Sequence, residues 1–391
     1  MRAFLPLLTL FVIRLAPGIA FQSVAVAAPL LMLALGLNHA QAGLALGVFT
    51  LPGLVVSVPA GMLARRIGDS AVLCGALLLV AAGALIAGTA HAYPLLLAGR
   101  ALGGAGGVSI LMLVLKMTAD RYAGPWLATA SAVTITAWPA GLALGLLVFG
   151  PLPQALGWRA TLLLAGAPAL LGLLLVPLIG RAKGGTAAAA HAAGIAPLPP
   201  RRFMLGAIAT WAMINAVLPI IIGFLPGYLM SQGRDLDAAA AATSLAVWTP
   251  AIGIPLGGLL ADRLLGRRAA VMLGLTLTAA MLLLIGSGIT MGMALAAFGI
   301  AFSLAPGPLT AQLGQAMPLR ARAVVFGWYS ACSYGAMTVG PWVAGWLRDS
   351  TGDPRAPLLF AAAVMLLALA PYALMDRAAA ALPAVVAPEA G

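Results

Sequence analysis

The stretch "GLLADRLLGRR" (residues 258–268) ends one long apolar segment, 239–262, and leads into the next, 269–289. Asp262, Arg263, Arg267 and Arg268 are all charged, whereas the sequence on both sides is almost wholly apolar. About 20 apolar residues suffice for a helix to cross a bilayer. The pattern therefore predicts two membrane-spanning helices joined by a short, mainly basic loop.

The composition of the whole chain is typical of a membrane protein. Of its 391 residues, 63% are hydrophobic and 8% are charged, whereas soluble domains carry about 25% charged residues. Twelve segments are long and apolar enough to span a bilayer: 5–34, 40–63, 70–90, 93–115, 127–150, 159–180, 203–230, 239–262, 269–289, 291–314, 324–347 and 356–376. Cys74 and Cys332 both lie in such segments and indicate neither a disulfide framework nor a metal site. We expect an all-α membrane protein with no cofactor and no metal.

The basic residues are distributed unevenly among the loops. With the N-terminus in the cytoplasm, 15 of the 21 Lys and Arg residues fall on the cytoplasmic side and four on the other side, while Arg14 and Arg100 lie inside spans. This asymmetry follows the positive-inside rule. We therefore expect a multi-pass protein of the cytoplasmic (inner) membrane with both termini in the cytoplasm. The net charge of +12 has the same origin, and no nucleic-acid partner is expected.

A segment rich in Ala, Gly and Pro divides the spans into six and six. Residues 181–202 have basic ends and predict a flexible cytoplasmic linker. The linker separates an N-terminal six-helix bundle, 1–180, from a C-terminal one, 203–377. Residues 378–391 predict a flexible tail.

The two halves repeat each other at an offset near 197 residues. Pro29 aligns with Pro226, and Gly61 aligns with Gly258. Parallel repeats of six helices occur in a large class of secondary transporters, which bind their substrate between the halves near the middle of the bilayer.

Three motifs resemble those of the major facilitator superfamily. "GLLADRLLGRR" matches its loop signature between helices 8 and 9, with one extra residue before Gly266. The first-half copy, "GMLARRIGD" (61–69), has Arg65 where Asp is expected and Asp69 where a basic residue is expected. "GRALGGAGG" (99–107) is similar to the helix 4 motif, an Arg followed by closely spaced glycines. The resemblance implies two pseudo-symmetric bundles that work by alternating access. It also implies a gating or coupling role for Arg100 and for the loop charges, which are Arg65, Arg66, Asp69, Asp262, Arg263, Arg267 and Arg268.

Two helices resemble one branch of that superfamily, the cyanate-permease-like transporters. In "VIRLAPGIAFQSVAVAAPLLM" (12–32), an Arg near the middle precedes a Ser-containing stretch and a Pro, as in their first helix. "GFLPGYLMSQG" (223–233) is similar to their seventh helix.

Arg14 is the most informative residue in the spans. It lies about ten residues into its span, or roughly 15 Å, near the middle of a ~30 Å hydrocarbon core. An Arg there costs at least ~2.5–3.5 kcal/mol, and such charges are usually functional. Every acidic residue falls in a loop, at a span end or in the tail. The natural partner of Arg14 is therefore an anionic substrate, although hydrogen bonds to a neighbouring helix would also account for it. Arg100 lies roughly 9 Å from the outer end of its span and could instead extend outward.

Other polar and aromatic residues of the spans are candidates for lining the substrate cavity. Gln22 follows Arg14 by eight residues, about 80° round the helix. Trp211 occupies the repeat position of Arg14, and Asn215 lies one turn later. The remaining candidates are Thr134, Trp138, Trp248, Tyr329 and Tyr334. For each of Trp138, Trp211 and Trp248 taken alone, packing is the more common explanation.

The sequence thus predicts a secondary transporter for a small organic or inorganic anion, active as a monomer through proton symport or anion exchange. The alternative is a drug or metabolite efflux antiporter of the same superfamily. Proton-coupled exporters commonly use a membrane carboxylate, and "AWPAGLALG" (137–145) lacks the Gly before Pro139 that the antiporter signature has. An enzyme is not expected, because the spans lack converging His, Asp, Glu or Cys side chains. The sequence also lacks a phosphate-binding GxxxxGK[ST] motif, so ATP-driven transport is not expected.

Overall fold

A computed structural model describes residues 4–122, 127–180, 199–288, 292–317 and 319–379. The regular structure of these residues is entirely helical. Most of the predicted linker, 181–198, and most of the predicted tail, 380–391, lie outside the described residues.

The helices form two halves, and each half buries its own apolar core. The N-terminal half contains α1 Phe4–Leu35, α2 His39–Gly47, α3 Gly53–Ile67, α4 Asp69–Gly88, α5 Tyr93–Arg121, α6 Leu127–Phe149, α7 Leu152–Leu164 and α8 Ala167–Ile179. The C-terminal half contains α9 Arg201–Ser231, α10 Leu236–Leu260, a π-helix Ala261–Leu265, α11 Arg267–Gly286, α12 Gly292–Ser303, α13 Pro306–Ala316, α14 Leu319–Thr351, α15 Ala356–Leu367 and α16 Leu369–Ala379. Within the described ranges, nine helical segments are long and apolar enough to cross a membrane.

Four of the predicted spans are broken in the middle rather than continuous. They are the helix pairs α2–α3, α7–α8, α12–α13 and α15–α16. A proline stands at the start of the second helix of each pair, namely Pro52, Pro168, Pro306 and Pro371. Because proline lacks an N–H and clashes with the preceding turn, it is tolerated at the start of a helix but disrupts its interior. The remaining spans are single helices, and α9 begins at Arg201, two residues before the predicted start of the second bundle.

The extra residue in "GLLADRLLGRR" is absorbed by the π-helix Ala261–Leu265. Gly68 and Gly266 have the same role in the two halves, since each has a positive φ (92° and 75°) and precedes the next span. They are 198 residues apart, one more than the offset between Gly61 and Gly258. A π-helix bonds each residue one position further along than an α-helix. The second half therefore has one more residue between Gly258 and Gly266 than the first half has between Gly61 and Gly68.

Two helix pairs make the most extensive contacts between the halves, α2 with α14 and α6 with α10. Under the repeat, α2 in the second span corresponds to α10 in the eighth span. In the same way, α6 in the fifth span corresponds to α14 in the eleventh span. These two contacts are therefore equivalent under the repeat, which gives the molecule pseudo-twofold symmetry.

The halves meet most closely at the end where α1 finishes and α2 begins, which we call the closed end. A Cβ on Gly43 would overlap the backbone carbonyl of Pro341, and a Cβ on Gly345 would overlap that of His39. The backbones of α2 and α14 are therefore in direct contact there. The opposite end, where α1 begins, carries most of the described basic loop residues, and we call it the basic end.

Asp349 stabilises the contact between the two halves at the closed end. Its carboxylate accepts hydrogen bonds from the backbone N–H groups of His39 (3.0 Å) and Ala40 (2.8 Å), and it pairs with Nδ1 of His39 at 2.7 Å. Asp349 belongs to α14, whereas the two N–H groups begin α2 in the other half. Partial burial acts to raise the pKa of Asp349, but these hydrogen bonds outweigh it and hold the pKa below its ordinary value.

Candidate substrate site between the halves

Arg14 of α1 is buried beside the opposite half. Only 8% of it is exposed, and it interacts electrostatically with Tyr334 of α14. Its Nε and Nη1 atoms have no hydrogen-bond partner among the described residues. Leaving a buried charged donor without a partner costs about 1–3 kcal/mol or more. The geometry therefore suits an oxyanion that arrives from outside the protein.

Gln22 lies two turns beyond Arg14 and is also unpartnered. It is fully buried, and neither Oε1 nor Nε2 has a hydrogen-bond partner within the described part of the chain. Helix α1 packs so closely on α6 that a Cβ on Gly145 would come within 2.7 Å of the Gln22 Cβ. Two residues earlier, the carbonyl of Ala143 accepts a hydrogen bond from Ser244 of α10 at 3.2 Å. Gln22 thus lies near the place where the C-terminal half meets this helix pair.

The unsatisfied polar atoms are concentrated in few side chains. Five buried side-chain nitrogen or oxygen atoms of the described residues lack a hydrogen bond; four belong to Arg14 and Gln22, and the fifth is Nη1 of Arg348. Native structures contain few such atoms, and each calls for an explanation. The guanidinium offers only donors, whereas the amide offers both a donor and an acceptor. The guanidinium can therefore bind a negatively charged oxygen, and the amide can bind a polar group or a water molecule.

Arg100 of α5 has the opposite surroundings. It is 4% exposed, and its guanidinium donates to three backbone carbonyls, those of Ala45 (3.1 Å), Ala20 (2.6 Å) and Phe21 (3.0 Å). It also lies 4.7 Å from the centre of the Phe49 ring. Arg100 therefore ties α5 to α1 and α2 inside the N-terminal half. These contacts account for its charge without a substrate.

The glycines around Arg100 make this packing possible. A Cβ on Gly99 would lie 2.8 Å from the carbonyl of Gly83, and one on Gly104 would overlap the carbonyl of Phe49. The motif "GRALGGAGG" thus brings α5 into backbone contact with its neighbours, as small residues commonly do in membrane helices.

Three of the candidate aromatic residues, Trp138, Trp211 and Tyr329, pack against other aromatic rings. Trp138 lies 5.8 Å from Phe21, and Trp211 stacks on Tyr329 at 4.8 Å with 8° between the ring planes. The hydroxyl of Tyr329 lies 3.2 Å from that of Thr310. Trp211, at the repeat position of Arg14, is therefore held by an aromatic partner in its own half.

The remaining candidates have varied surroundings. Thr134 donates to the carbonyl of Ala130, and Asn215 donates to that of Trp211, so both bond within their own helices. Trp248 of α10 packs against the apolar core cluster to which the N-terminal half contributes most residues. The structure brings Tyr334 to Arg14 across the same interface.

The charged loops at the basic end form pairs within each half. Asp69 pairs with Lys116 of α5 at 2.6 Å. In the second half, Asp262 pairs with Arg267 at 2.9 Å. Arg268 similarly pairs with Asp376 at 3.1 Å. Three other predicted gating residues, Arg65, Arg66 and Arg263, are exposed.

Sequence reasoning missed three residues of the closed end, His39, Arg348 and Asp349. One signal was present, because an acidic residue near a helix C-terminus opposes the helix dipole. Asp349 lies in the last turn of α14 and offsets this cost by capping the start of α2. Its partner His39 is 310 residues away in the chain, so the pairing itself had no local signal.

The described acidic residues all lie at or beyond helix ends: Asp69, Asp120, Asp235, Asp237, Asp262, Asp349, Asp353 and Asp376. Over the described ranges, no group of three or more His, Cys, Asp or Glu residues is placed to hold a metal ion. The polar chemistry of the interface within the membrane is thus that of arginine, amide and hydroxyl groups.

Solved structures of transporters share this fold. A bacterial homolog to the human lysosomal transporter Spinster, in an inward-facing and unoccupied conformation, superposes with a TM-score of 0.77 at 18% identity, covering 97% of each chain. The xylose transporter XylE from E. coli, partially occluded and inward open, gives 0.74 at 15% identity over 94% of this chain and 98% of that one. At these identities the likeness concerns the fold alone.

Two comparisons of the sequence also gave matches. The Inner membrane transport protein YajR of Escherichia coli (strain K12) is 33% identical over 86 residues, which are 22% of this chain and only 19% of that protein. The model of the Major Facilitator Superfamily matches residues 10–244 and 203–388. Since this match extends over most of the chain, it shows that the chain belongs to the Major Facilitator Superfamily.

Proposed function

We propose that this transporter carries small anions and that Arg14 binds their negative charge. The observation that carries the proposal is the burial of Arg14 beside the other half with Nε and Nη1 unpartnered in the described structure. A guanidinium presents a planar pair of donors that fits carboxylates and similar oxyanions. Gln22 is the second ligand of the site, because its free amide lies on the same helix.

The contrast with Arg100 supports this assignment. Both arginines are buried in the spans, but Arg100 uses its donors on backbone carbonyls of its own half. Every described acidic residue lies at or beyond a helix end, so Arg14 has no carboxylate partner at its depth. We therefore assign substrate binding to Arg14 and a packing role to Arg100, which can still transmit movements of α5.

The orientation belongs to the same proposal. The basic end faces the cytoplasm of the inner membrane, with both termini on that side. The closed end then faces outward, and the halves adopt an inward-facing arrangement. The ion pairs Asp69–Lys116 and Asp262–Arg267 each lie within one half, which fits a basic end that is not latched. The protein acts as a monomer, since each chain contains both halves of the site.

Uptake of an anion requires a driving force that overcomes the membrane potential. Each net negative charge that enters an inside-negative cell costs ~2.3 kcal/mol per 100 mV. Uptake therefore requires a co-transported cation, such as a proton, or exchange for an internal anion. The motif around Arg14 supports a place in the cyanate-permease-like branch, and the absence of a spanning acid from the described residues argues against the efflux-antiporter alternative.

The test is anion binding to purified, folded Arg14→Gln protein. Acetate, benzoate, nitrate and cyanate are first screened for uptake into proteoliposomes with and without a pH gradient. The best anion is then titrated into each variant. Loss of a charge-assisted contact costs about 1.5–3 kcal/mol, so Arg14→Gln should bind roughly ten- to hundredfold more weakly. Arg14→Lys should recover only part of the affinity, because lysine lacks the planar pair of donors.

Arg202→Gln is the matched control, because it removes an exposed positive charge from the basic end. It should bind the anion as the wild type does. Unchanged affinity in folded Arg14→Gln protein would refute the assignment of Arg14 as the substrate ligand.

A further inference from the structure

A cavity of about 380 Å³ lies between the halves at the closed end. Residues of α1 from Val24 to Leu33 form one wall, and residues of α9 from Gly223 to Met230 form another. The lining is mainly apolar, with alanine, leucine, methionine and proline side chains. Ligand pockets usually enclose about 300–1,000 Å³, so this one is large enough for a small organic molecule.

Arg348 gives this apolar cavity an unsatisfied positive charge. It lines the cavity, and its Nη1 atom is buried without a hydrogen-bond partner in the described structure. The two acids that act on it electrostatically are Asp349 and Asp353. Asp349 already accepts hydrogen bonds from the start of α2, and Asp353 pairs with Arg355 at 3.0 Å. Both nearby acids are thus engaged by other donors.

We infer that the cavity binds an amphipathic monoanion, with its carboxylate or similar oxyanion on Arg348 and its apolar body against α1 and α9. An apolar ligand body gains free energy from burial in such a lining. The anionic head satisfies the Nη1 donor, whose burial otherwise carries a cost. His39 also lines the cavity but is committed to Asp349.

This site is separate from the anion site proposed at Arg14. The wall begins at Val24, ten residues beyond Arg14, or roughly 15 Å further along the helix. Because both halves line the cavity, a ligand there favours the arrangement in which the closed end is sealed. Such a ligand would therefore slow transport without competing for Arg14.

The test uses octanoate as the probe and the full-length protein in nanodiscs of neutral phosphatidylcholine. Calorimetric titration compares the wild type with Arg348→Gln, which should bind roughly ten- to hundredfold more weakly. Arg159→Gln removes a charge from the same end outside the cavity and should bind normally. Octanol, which lacks the anionic head, should bind weakly and equally to all three. Repeating the comparison in the Arg14→Gln background removes any contribution from the other site.

A cavity-filling variant provides the second arm. Gly227 lines the cavity, and a Cβ added there would meet no atom within 4 Å. Gly227→Leu should therefore fill the space without moving the backbone and should abolish octanoate binding. Equal octanoate affinity in the wild type and Arg348→Gln, or full binding in Gly227→Leu, would overturn the inference.

Nanodiscs that contain anionic phosphatidylglycerol identify the source of the natural ligand. If phosphatidylglycerol competes with octanoate in the wild type but not in Arg348→Gln, the natural ligand is a lipid of the bilayer. Octanoate binding that is the same in both kinds of disc would assign it to the aqueous phase. Either result retains the amphipathic monoanion, whereas failure of octanoate to bind the wild type in neutral discs refutes it.

Discussion

Replacing Asp349 with alanine should open the closed end more often. The carboxylate accepts hydrogen bonds from the N–H groups of His39 and Ala40, which begin α2. Asn38 and Gln41 form a capping box for the same helix, but that box uses other N–H groups. Asp349 therefore satisfies, from the opposite half, donors that the local cap leaves free.

The size of the effect follows from these contacts. Loss of a helix N-cap side chain costs about 0.5–2 kcal/mol. The pair with the His39 ring is partly exposed and adds little, since solvent screens it. A total of about 1–2 kcal/mol corresponds to a roughly 5- to 30-fold rise in the population of open molecules.

A buried cysteine at the interface between the halves can report this population. Ser244 is 1% exposed and bonds to the other half, so Ser244→Cys should react with an impermeant maleimide only when the closed end opens. The native Cys74 and Cys332 are replaced by serine. The labelling rate should rise roughly 5- to 30-fold in Asp349→Ala.

The matched control is Asp353→Ala, because Asp353 pairs with Arg355 inside one half. It should leave the labelling rate unchanged. An unaltered rate in Asp349→Ala, or an equal rise in both variants, would refute the reasoning that Asp349 fastens the halves.

Acid should reproduce the effect of the mutation. Hydrogen bonds hold the pKa of Asp349 below its ordinary value of 3.8 despite partial burial. A carboxylate with a lowered pKa stabilises the closed arrangement fully above that ordinary value, and the contribution is lost as the pH falls through the lowered pKa. Spin-label distances between Leu33 and Gln232 should therefore stay constant from neutral pH to about pH 5 and lengthen below about pH 4 in the wild type. Asp349→Ala should lack that acid step.

Two further predictions concern the other buried arginine and the orientation. Arg100→Gln breaks three charge-assisted hydrogen bonds, each worth about 1.5–3 kcal/mol, so the protein should melt at a lower temperature. The anion affinity of the folded protein should stay within about twofold; a large loss of affinity without a loss of stability would contradict the packing role. A cysteine at exposed Gln232 should react with an impermeant reagent in intact cells, whereas one at exposed Leu264 should not; labelling of Leu264 alone would reverse the orientation.

Much of the fold was predictable because it follows from local patterns. Apolar length predicts where the spans lie, and the repeated glycines Gly61 and Gly258 predict the two similar halves. The extra residue before Gly266 was visible in the sequence, and the structure accommodates it in a π-helix. The breaks within four spans were not predicted, because hydropathy measures apolar length and does not register a change of helix axis at a residue such as Pro52.

The site was predictable only in part. Depth in the membrane marks both Arg14 and Arg100 as unusual, but only the three-dimensional contacts separate the arginine with free donors from the one that bonds to Ala20, Phe21 and Ala45. Pairings across the halves depend on tertiary contacts between distant segments, so the bond between Asp349 and His39 had no sequence signal.

The π-helix has a consequence for insertions and deletions. Removing one residue from an α-helix turns everything beyond it by about 100° and shortens the helix by about 1.5 Å, which would move apolar side chains away from their partners. Removing one residue from Ala261–Leu265 should instead convert the π-helix into an α-helix of the length found in the first half. In a scan of single-residue deletions through the spans, this segment should tolerate a deletion best, because the helix beyond it keeps the same face toward its partners.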